Sequence, residues 1–359
     1  MMKLVNLASN MRCEDELLLC CARVLLEPQD QGRIEHLLQG PLEWQTVLKR
    51  AHWHRIRPLT HHHLRAQPAG FVPRDVLDAL ARNARELAER NRRLARVQEE
   101  IAAVFEENAV RVLFYKGPTL TVTAYGDLNL RECGDLDLLV HHNDLPRVID
   151  LIKACGFTDA GRIRQAGEWE FQRDRTALDV HWNLAPWWLK YHVDFDRLWE
   201  DGLSLTNGSG YVRALRPEDS LVVLSIHGSK HWWERLRWIC DIAELVNSGQ
   251  VMDWERVAAG ASEMRSRRAV ELALCLACDL LSARLPEEIR RDLDQSKATK
   301  QLVTQVTAWL GHGQHVEQMR QSRQRLRFRM MLNDRMRDRV PQMGRTLLAR
   351  FSRFVSGGP

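Results

Sequence analysis

The chain has 359 residues, 45% of them hydrophobic and 28% charged, with twelve tryptophans and a formal net charge of +5. That composition supports a buried core and excludes disorder over most of the length, and no apolar run approaches the roughly 20 residues that a membrane-crossing helix needs. Cys13, Cys20, Cys21, Cys133, Cys155, Cys240, Cys275 and Cys278 are scattered and mostly set in apolar runs, which argues against a disulfide framework and for reduced thiols in a cytoplasmic protein.

In chain order, Glu14 and Glu16 precede LLLCCARVLL, so no basic region leads into a clean apolar segment and no signal peptide is expected. Residues 1–108 read as an N-terminal helical region. Glu43 to His54 forms one helix, Pro58 interrupts, and the stretch from Pro73 to Ala109 repeats apolar residues at three- and four-residue spacing. His61, His62 and His63 have no acidic or cysteine partner close in sequence and read as a solvated helix start, not a metal site.

Residues 109–216 change texture. VRVLFYK (110–116) predicts a buried strand, PTLTVTAYG a short helix, GDLDLLV (134–140) a second strand, and DLPRVIDLIKACGF a helix. WEFQR (169–173), ALDVHWNL (177–184) and YVRAL (211–215) are further strands. Residues 217–315 return to helical periodicity, with Pro217, Glu218 and Asp219 as a first turn and Gly249 as a stop. Cys275 and Cys278 form a C-x-x-C inside an apolar helical run with no second ligand pair, so they are expected to pack. Between residues 317 and 359 eleven arginines face three acidic residues, a local charge of +8. The tail from 316 interleaves Arg with apolar residues, as in RLRFRMML and RTLLARFSRF. This is first the pattern of an amphipathic helix packed on its own domain; the weaker alternative is an electrostatic footprint for nucleic acid or an anionic surface.

The chemistry concentrates in two strands. In GDLDLLV, period-two alternation puts Asp135 and Asp137 on one face and Leu136 and Leu138 on the other. Strand rise separates the two acids by about 7 Å at the backbone, close enough for their carboxylates to grip a pair of Mg²⁺ ions about 4 Å apart. ALDVHWNL repeats the logic with Asp179 and His181 opposite Leu178 and Val180, so Asp179 is the candidate third carboxylate. His181 is expected to hydrogen-bond near the metal and not to ligate it, because hard Mg²⁺ prefers oxygen. Lys116 and Gly117 end a strand just before a helix, where free N–H groups and a cation suit phosphate; Arg131 is a second phosphate candidate. His227 and His231 lie four apart on a helical face with Lys230, Arg237 and Asp241 near in sequence, either a nucleotide-contacting helix pair or a tryptophan-rich packing helix.

Jointly, YKG (115–117), AYGDLNLRECGDLDLLV (124–140), LDVHW (178–182) and HGSKHWWERLRWICDIAEL (227–245) resemble the uncharacterised nucleotidyltransferase family of the DNA polymerase β-like superfamily. The resemblance is loose over 40–300 and good over 110–245. It implies an α+β fold, a small mixed β-sheet core flanked by N-terminal and C-terminal helical regions, with metals at Asp135, Asp137 and Asp179. It also implies nucleotide contacts from Lys116, Gly117, Arg131, Gly134, His227, Lys230, Arg237 and Asp241. Two departures stand out: Pro118 removes one N–H from the phosphate-binding turn, and the gap to Asp135 is long for the superfamily.

The expected activity is Mg²⁺-dependent transfer of a nucleoside monophosphate, from a triphosphate such as ATP, to an acceptor hydroxyl with release of pyrophosphate; Mn²⁺ is the natural substitute ion. The acceptor, whether small molecule, peptide or polymer end, leaves no mark in the sequence. Two alternatives stay open: sugar transfer from a nucleotide-sugar at the same metal–diphosphate site, and a non-catalytic protein that binds nucleic acid or a partner through the arginine-rich tail.

Overall fold

The computed structural model describes residues 11–164, 167–185, 189, 191–207, 210–312 and 323–333. The chain opens with α1 (Cys13–Cys21), α2 (Pro28–Leu38), α3 (Trp44–His54) and α4 (Arg57–Leu64), followed by the long α5 (Arg74–Glu107). In α5, Leu80, Leu87, Leu94 and Ile101 recur every seven residues and are all buried. One apolar stripe therefore runs the length of the helix. Its first half joins the core shared by the helical layers, and its second half joins the core beneath the sheet.

The sheet follows: β1 (Val112–Phe114), α6 (Gly117–Tyr125), β2 (Leu136–Val140), α7 (Leu145–Ala154), β3 (Thr158–Arg164), β4 (Glu168–Arg173), β5 (Thr176–His181), α8 (Phe195–Asp201), β6 (Leu203–Asn207) and β7 (Gly210–Ala214). Among the described residues seven strands form one mixed sheet in the order β3-β4-β5-β2-β1-β7-β6. The pairs β2/β5 and β1/β7 are parallel and the others antiparallel. Leu136, Leu138 and Val140 face the core under α5 and α7, whereas Leu139 faces the core of the helical layers. The alternation expected of GDLDLLV is therefore present, with apolar cover on both faces.

The C-terminal helices are α9 (Pro217–Lys230), α10 (Leu236–Asn247), α11 (Trp254–Glu263), α12 (Arg267–Leu281), α13 (Glu287–Gln295), α14 (Lys297–His312) and α15 (Arg323–Leu332). Their buried residues share one continuous core with α1 to α4, so the first and last parts of the chain pack together on the sheet face that carries Leu139. Among the described residues no helix is long and apolar enough to cross a membrane.

Several sequence expectations meet a direct answer. The α+β class holds. Strands β3 and β6, absent from the expected set, are the two edge strands: β3 carries no period-two signal, whereas β6 alternates Leu203 and Leu205 with Ser204 and Thr206 over only five residues. The three histidines occupy the last turn of α4, not a helix start, because Pro58 sits at the helix's own first turn. His63 is buried there, with Nε2 2.6 Å from the Arg23 carbonyl oxygen. All eight cysteines are free, and Cys278 packs inside α12 with Sγ donating to the Ala283 carbonyl. Of the tail, RLRFRMML lies in α15, whose Phe328 is wedged against Trp232 and Trp309 at ring distances of 5.4 and 5.1 Å. The segment RTLLARFSRF lies outside the described residues.

Candidate active site

Register assembles the site. β2 and β5 run parallel with Asp137 opposite Asp179 and Leu139 opposite His181. β4 and β5 run antiparallel with Glu170 opposite Asp179 and Glu168 opposite His181. Directly paired residues project to the same face about 5 Å apart. A row of carboxylates, Glu170, Asp179 and Asp137, thus crosses three strands beside a second row of Glu168 and His181. Donor atoms of Asp137, Asp179 and His181 all lie within 4.8 Å of one another. Asp135 stands just before β2 and its charge reaches Asp179.

Two lysines enter this acidic face. Lys116 Nζ donates to Asp137 Oδ1 at 2.6 Å, with both side chains almost fully buried. His181 Nε2 approaches the same oxygen at 3.3 Å, and its Nδ1 lies 3.6 Å from Glu168 Oε2. Lys230 Nζ donates to Glu168 Oε2 at 2.6 Å. Gly117 brings Lys116 and the start of α6 against the acid-bearing segment: its φ is +59°, and a Cβ there would sit 3.3 Å from the Asp135 carbonyl oxygen.

The charges respond unequally. Burial pushes Asp137 up, but the Lys116 ammonium and the His181 hydrogen bond outweigh it and hold the carboxyl well below its usual range. Burial, reinforced by Asp137, Asp135 and Glu170, pushes Asp179 up to about 8. Burial also lowers His181 despite Asp137 beside it, so the imidazole stays neutral with a lone pair to offer. Crowded oxygen donors, one neutral imidazole and a carboxyl that cannot ionise cheaply form a donor set short of positive charge. A divalent cation fits it, with the Asp137 and Asp179 oxygens as holders, Asp135 alongside, and His181 beside them as the hydrogen-bond partner of Asp137.

Helices α9 and α10 supply the neighbouring wall. The His227 and His231 rings lie 4.6 Å apart, and Trp238 stacks on His231 at 5.1 Å and meets His227 edge-on at 5.8 Å. Burial lowers both histidines, helped at His227 by Lys116 and at His231 by Lys230. Neutral rings and an indole among cations suit an aromatic base or an anionic group.

Of the other expected contacts, Arg131 and Asp241 are committed to each other. Arg131 gives Asp241 a bidentate pair at 2.6 and 2.9 Å, and the Tyr125 hydroxyl donates to the same carboxylate at 2.7 Å. Both partners are buried to within 3% exposure, so this pair fastens the segment before β2 to α10 and turns its donors away from solvent. Arg237 Nη1 donates to the Glu132 carbonyl at 2.9 Å. Gly134 leaves room for Arg55, whose Nη1 would lie 2.9 Å from a Cβ at that position.

The sequence reading passed over Glu168, Glu170, Arg55 and Arg235. The first two had a signal: GEWEFQR alternates acids with Trp169 and Phe171 as GDLDLLV alternates acids with leucines. Arg235 lies two residues before Arg237 in a segment already singled out, whereas Arg55 had no signal, because it arrives from the N-terminal helices.

Residues 40–282 match the family described as uncharacterised nucleotidyltransferase. A search of curated proteins gives no match. The family match spans more than half of the chain and covers every acid, lysine and histidine of the site, so the protein belongs to the uncharacterised nucleotidyltransferase family and is a transferase.

Proposed function

We propose that the protein transfers a nucleoside monophosphate from a nucleoside triphosphate to an acceptor hydroxyl and releases pyrophosphate, using Mg²⁺ held by Asp135, Asp137 and Asp179. The observation that carries this reading is the convergence of Asp137, Asp179 and His181 donor atoms within 4.8 Å on a face flanked by Lys116 and Lys230. Bound there, Mg²⁺ supplies Lewis-acid stabilisation of charge on the phosphoryl oxygens.

The chain's own groups divide the remaining work. The acceptor oxygen forms a bond to the α-phosphorus as the bond to the pyrophosphate oxygen breaks. Asp179, in register beside Asp137, takes the proton from the acceptor hydroxyl. Lys116, Gly117 at the N-terminus of α6, Lys230, Arg237 and Gly134 serve the phosphates; Pro118 costs the helix little, since first-turn N–H groups have no helical partner to lose, but leaves the phosphates one N–H fewer, so the lysines carry more of the charge. His227, with His231 and Trp238, serves the base. His181 hydrogen-bonds Asp137 and fixes its direction. Arg131 and Asp241, each consumed by the other, hold the frame.

The test is transfer of label from an α-labelled triphosphate together with Mg²⁺ uptake by calorimetry. Asp137→Asn and Asp179→Asn should each lower transfer by about 100-fold or more and weaken Mg²⁺ uptake, while circular dichroism keeps its helical signal. Transfer at the wild-type rate in either variant would refute the assignment.

A further inference from the structure

Beside the carboxylates lies a group of three arginines, whose nearest acids are Glu132, Asp135 and Glu234. Arg55 ends α3 in the left-handed region, φ 53°, and its guanidinium rests on Gly134, one residue before Asp135. Arg235 caps the start of α10, lying 5.2 Å from the Trp53 ring centre and 5.9 Å from that of Trp238. Arg237 follows in the first turn. The Nε atoms of Arg235 and Arg237 are buried without a hydrogen-bond partner. The Arg55 guanidinium makes no hydrogen bond or ion pair among the described residues, although its neighbours are close enough for their charges to act on it. Glu132 is already taken by Arg57, through contacts of 2.9 and 3.2 Å. Asp135 belongs to the metal-binding set.

Partly buried guanidinium groups that repel one another raise the energy of the free protein unless an anion joins them. The strain is visible at Arg55, which burial, Arg237 and Arg235 push down to about 10. Several planar forks with spare N–H groups match the tetrahedral array of oxygens on a phosphate.

We propose that Arg55, Arg235 and Arg237 form an oxyanion subsite for a terminal phosphate, carried either by the end of the donor triphosphate or by the acceptor. The proposal leans on the transferase reading only for the source of that phosphate. Arg55 makes the N-terminal helices part of the site: the sheet and α10 alone would leave the subsite open on one side.

Titration calorimetry on the full chain, first in EDTA and then with Mg²⁺, tests it with pyrophosphate, inorganic phosphate, AMP and a non-hydrolysable ATP analogue as probes. The wild type should bind pyrophosphate in EDTA. Arg55→Gln should weaken this at least tenfold, Arg235→Gln should do likewise, and Arg55→Lys should weaken it less, with Mg²⁺ uptake unchanged and the melting temperature of the anion-free Gln variants no lower than that of the wild type. Weakening of pyrophosphate and the ATP analogue but not AMP assigns the subsite to the donor's end. Phosphate that still binds when the analogue is saturating, and is lost in Arg55→Gln, assigns it to the acceptor. Pyrophosphate bound equally by wild type and Arg55→Gln, or no anion bound by the wild type, overturns the proposal. Arginine-dependent pyrophosphate binding without any Mg²⁺ or nucleotide uptake would sink the transferase reading and leave the subsite standing.

Discussion

Burial acts on individual ionisable groups in opposite ways, depending on the partner each one finds. Asp137 keeps its charge because Lys116 touches it, whereas at Asp179, in register beside it, burial and the nearby Asp137, Asp135 and Glu170 outweigh Lys116 and push the carboxyl up to about 8. The same reasoning governs His54, whose Nδ1 accepts the Leu236 N–H at 3.3 Å while burial, Arg50 and Arg235 push it down to about 3. His63 is pushed down to about 4 by burial, against the pull of the Arg23 carbonyl. For a depressed histidine the unfolded chain takes up a proton below its ordinary value near 6.5, and the folded chain does not. Stability is therefore fully present above that value and falls as pH drops towards 4, by about 1 kcal/mol per pH unit for each histidine. Urea midpoints measured between pH 7.5 and 4.5 check this. His54→Asn keeps an acceptor for Leu236 and should flatten the acid loss; an identical slope in wild type and variant would count against it.

At the level of elements, the α9–α10 turn orders much of the site. Trp232 and Trp233 both adopt positive φ, 63° and 54°, which bulky side chains avoid unless packing compels them. The compulsion is at Gly228: the Trp233 indole folds back across it, with the Trp233 N–H donating to the Gly228 carbonyl at 2.9 Å and Nε1 donating to Ser229 Oγ at 3.3 Å. A Cβ on residue 228 would lie 2.5 to 2.6 Å from indole carbons. Gly228→Ala should cost about 1–3 kcal/mol by overpacking. It should also change the near-ultraviolet dichroism of the tryptophans and weaken nucleotide binding, since Lys230 and His231 follow directly. A wild-type urea midpoint in this variant would show that the indole has room to move.

Across the whole molecule, the first and last parts of the chain stabilise each other. Leu17, Leu59, Leu80, Leu139, Leu224 and Leu276 belong to one core, and the buried Arg131–Asp241 pair ties the segment before β2 to α10 within it. The arginine-rich tail contributes α15, in which Phe328 is fully buried while Arg325 and Arg329 lie 4.8 and 4.9 Å from the Trp232 ring centre. In this helix the arginines are packing residues as much as charges, in keeping with the amphipathic reading of RLRFRMML. Phe328→Ala should destabilise the protein by about 3 kcal/mol or more, read as a shifted urea midpoint. A loss below about 0.5 kcal/mol would mean that α15 is not held in the core.

What the sequence determined by itself was the local alternation: acids and apolar residues two apart in GDLDLLV and ALDVHWNL oblige each strand to present its acids on one face. Helical periodicity in the flanks was legible for the same reason, because both patterns depend on residues a few positions apart. Only the tertiary structure decided which acids meet. The parallel register of β2 and β5 sets Asp137 beside Asp179, and the pairing of β4 adds Glu168 and Glu170. It also decided that Arg131 and Asp241, 110 residues apart, pair with each other, and that Arg55 reaches Gly134 from the N-terminal helices. Register and long-range partners follow from which surfaces are buried together, and no short stretch of sequence contains that information.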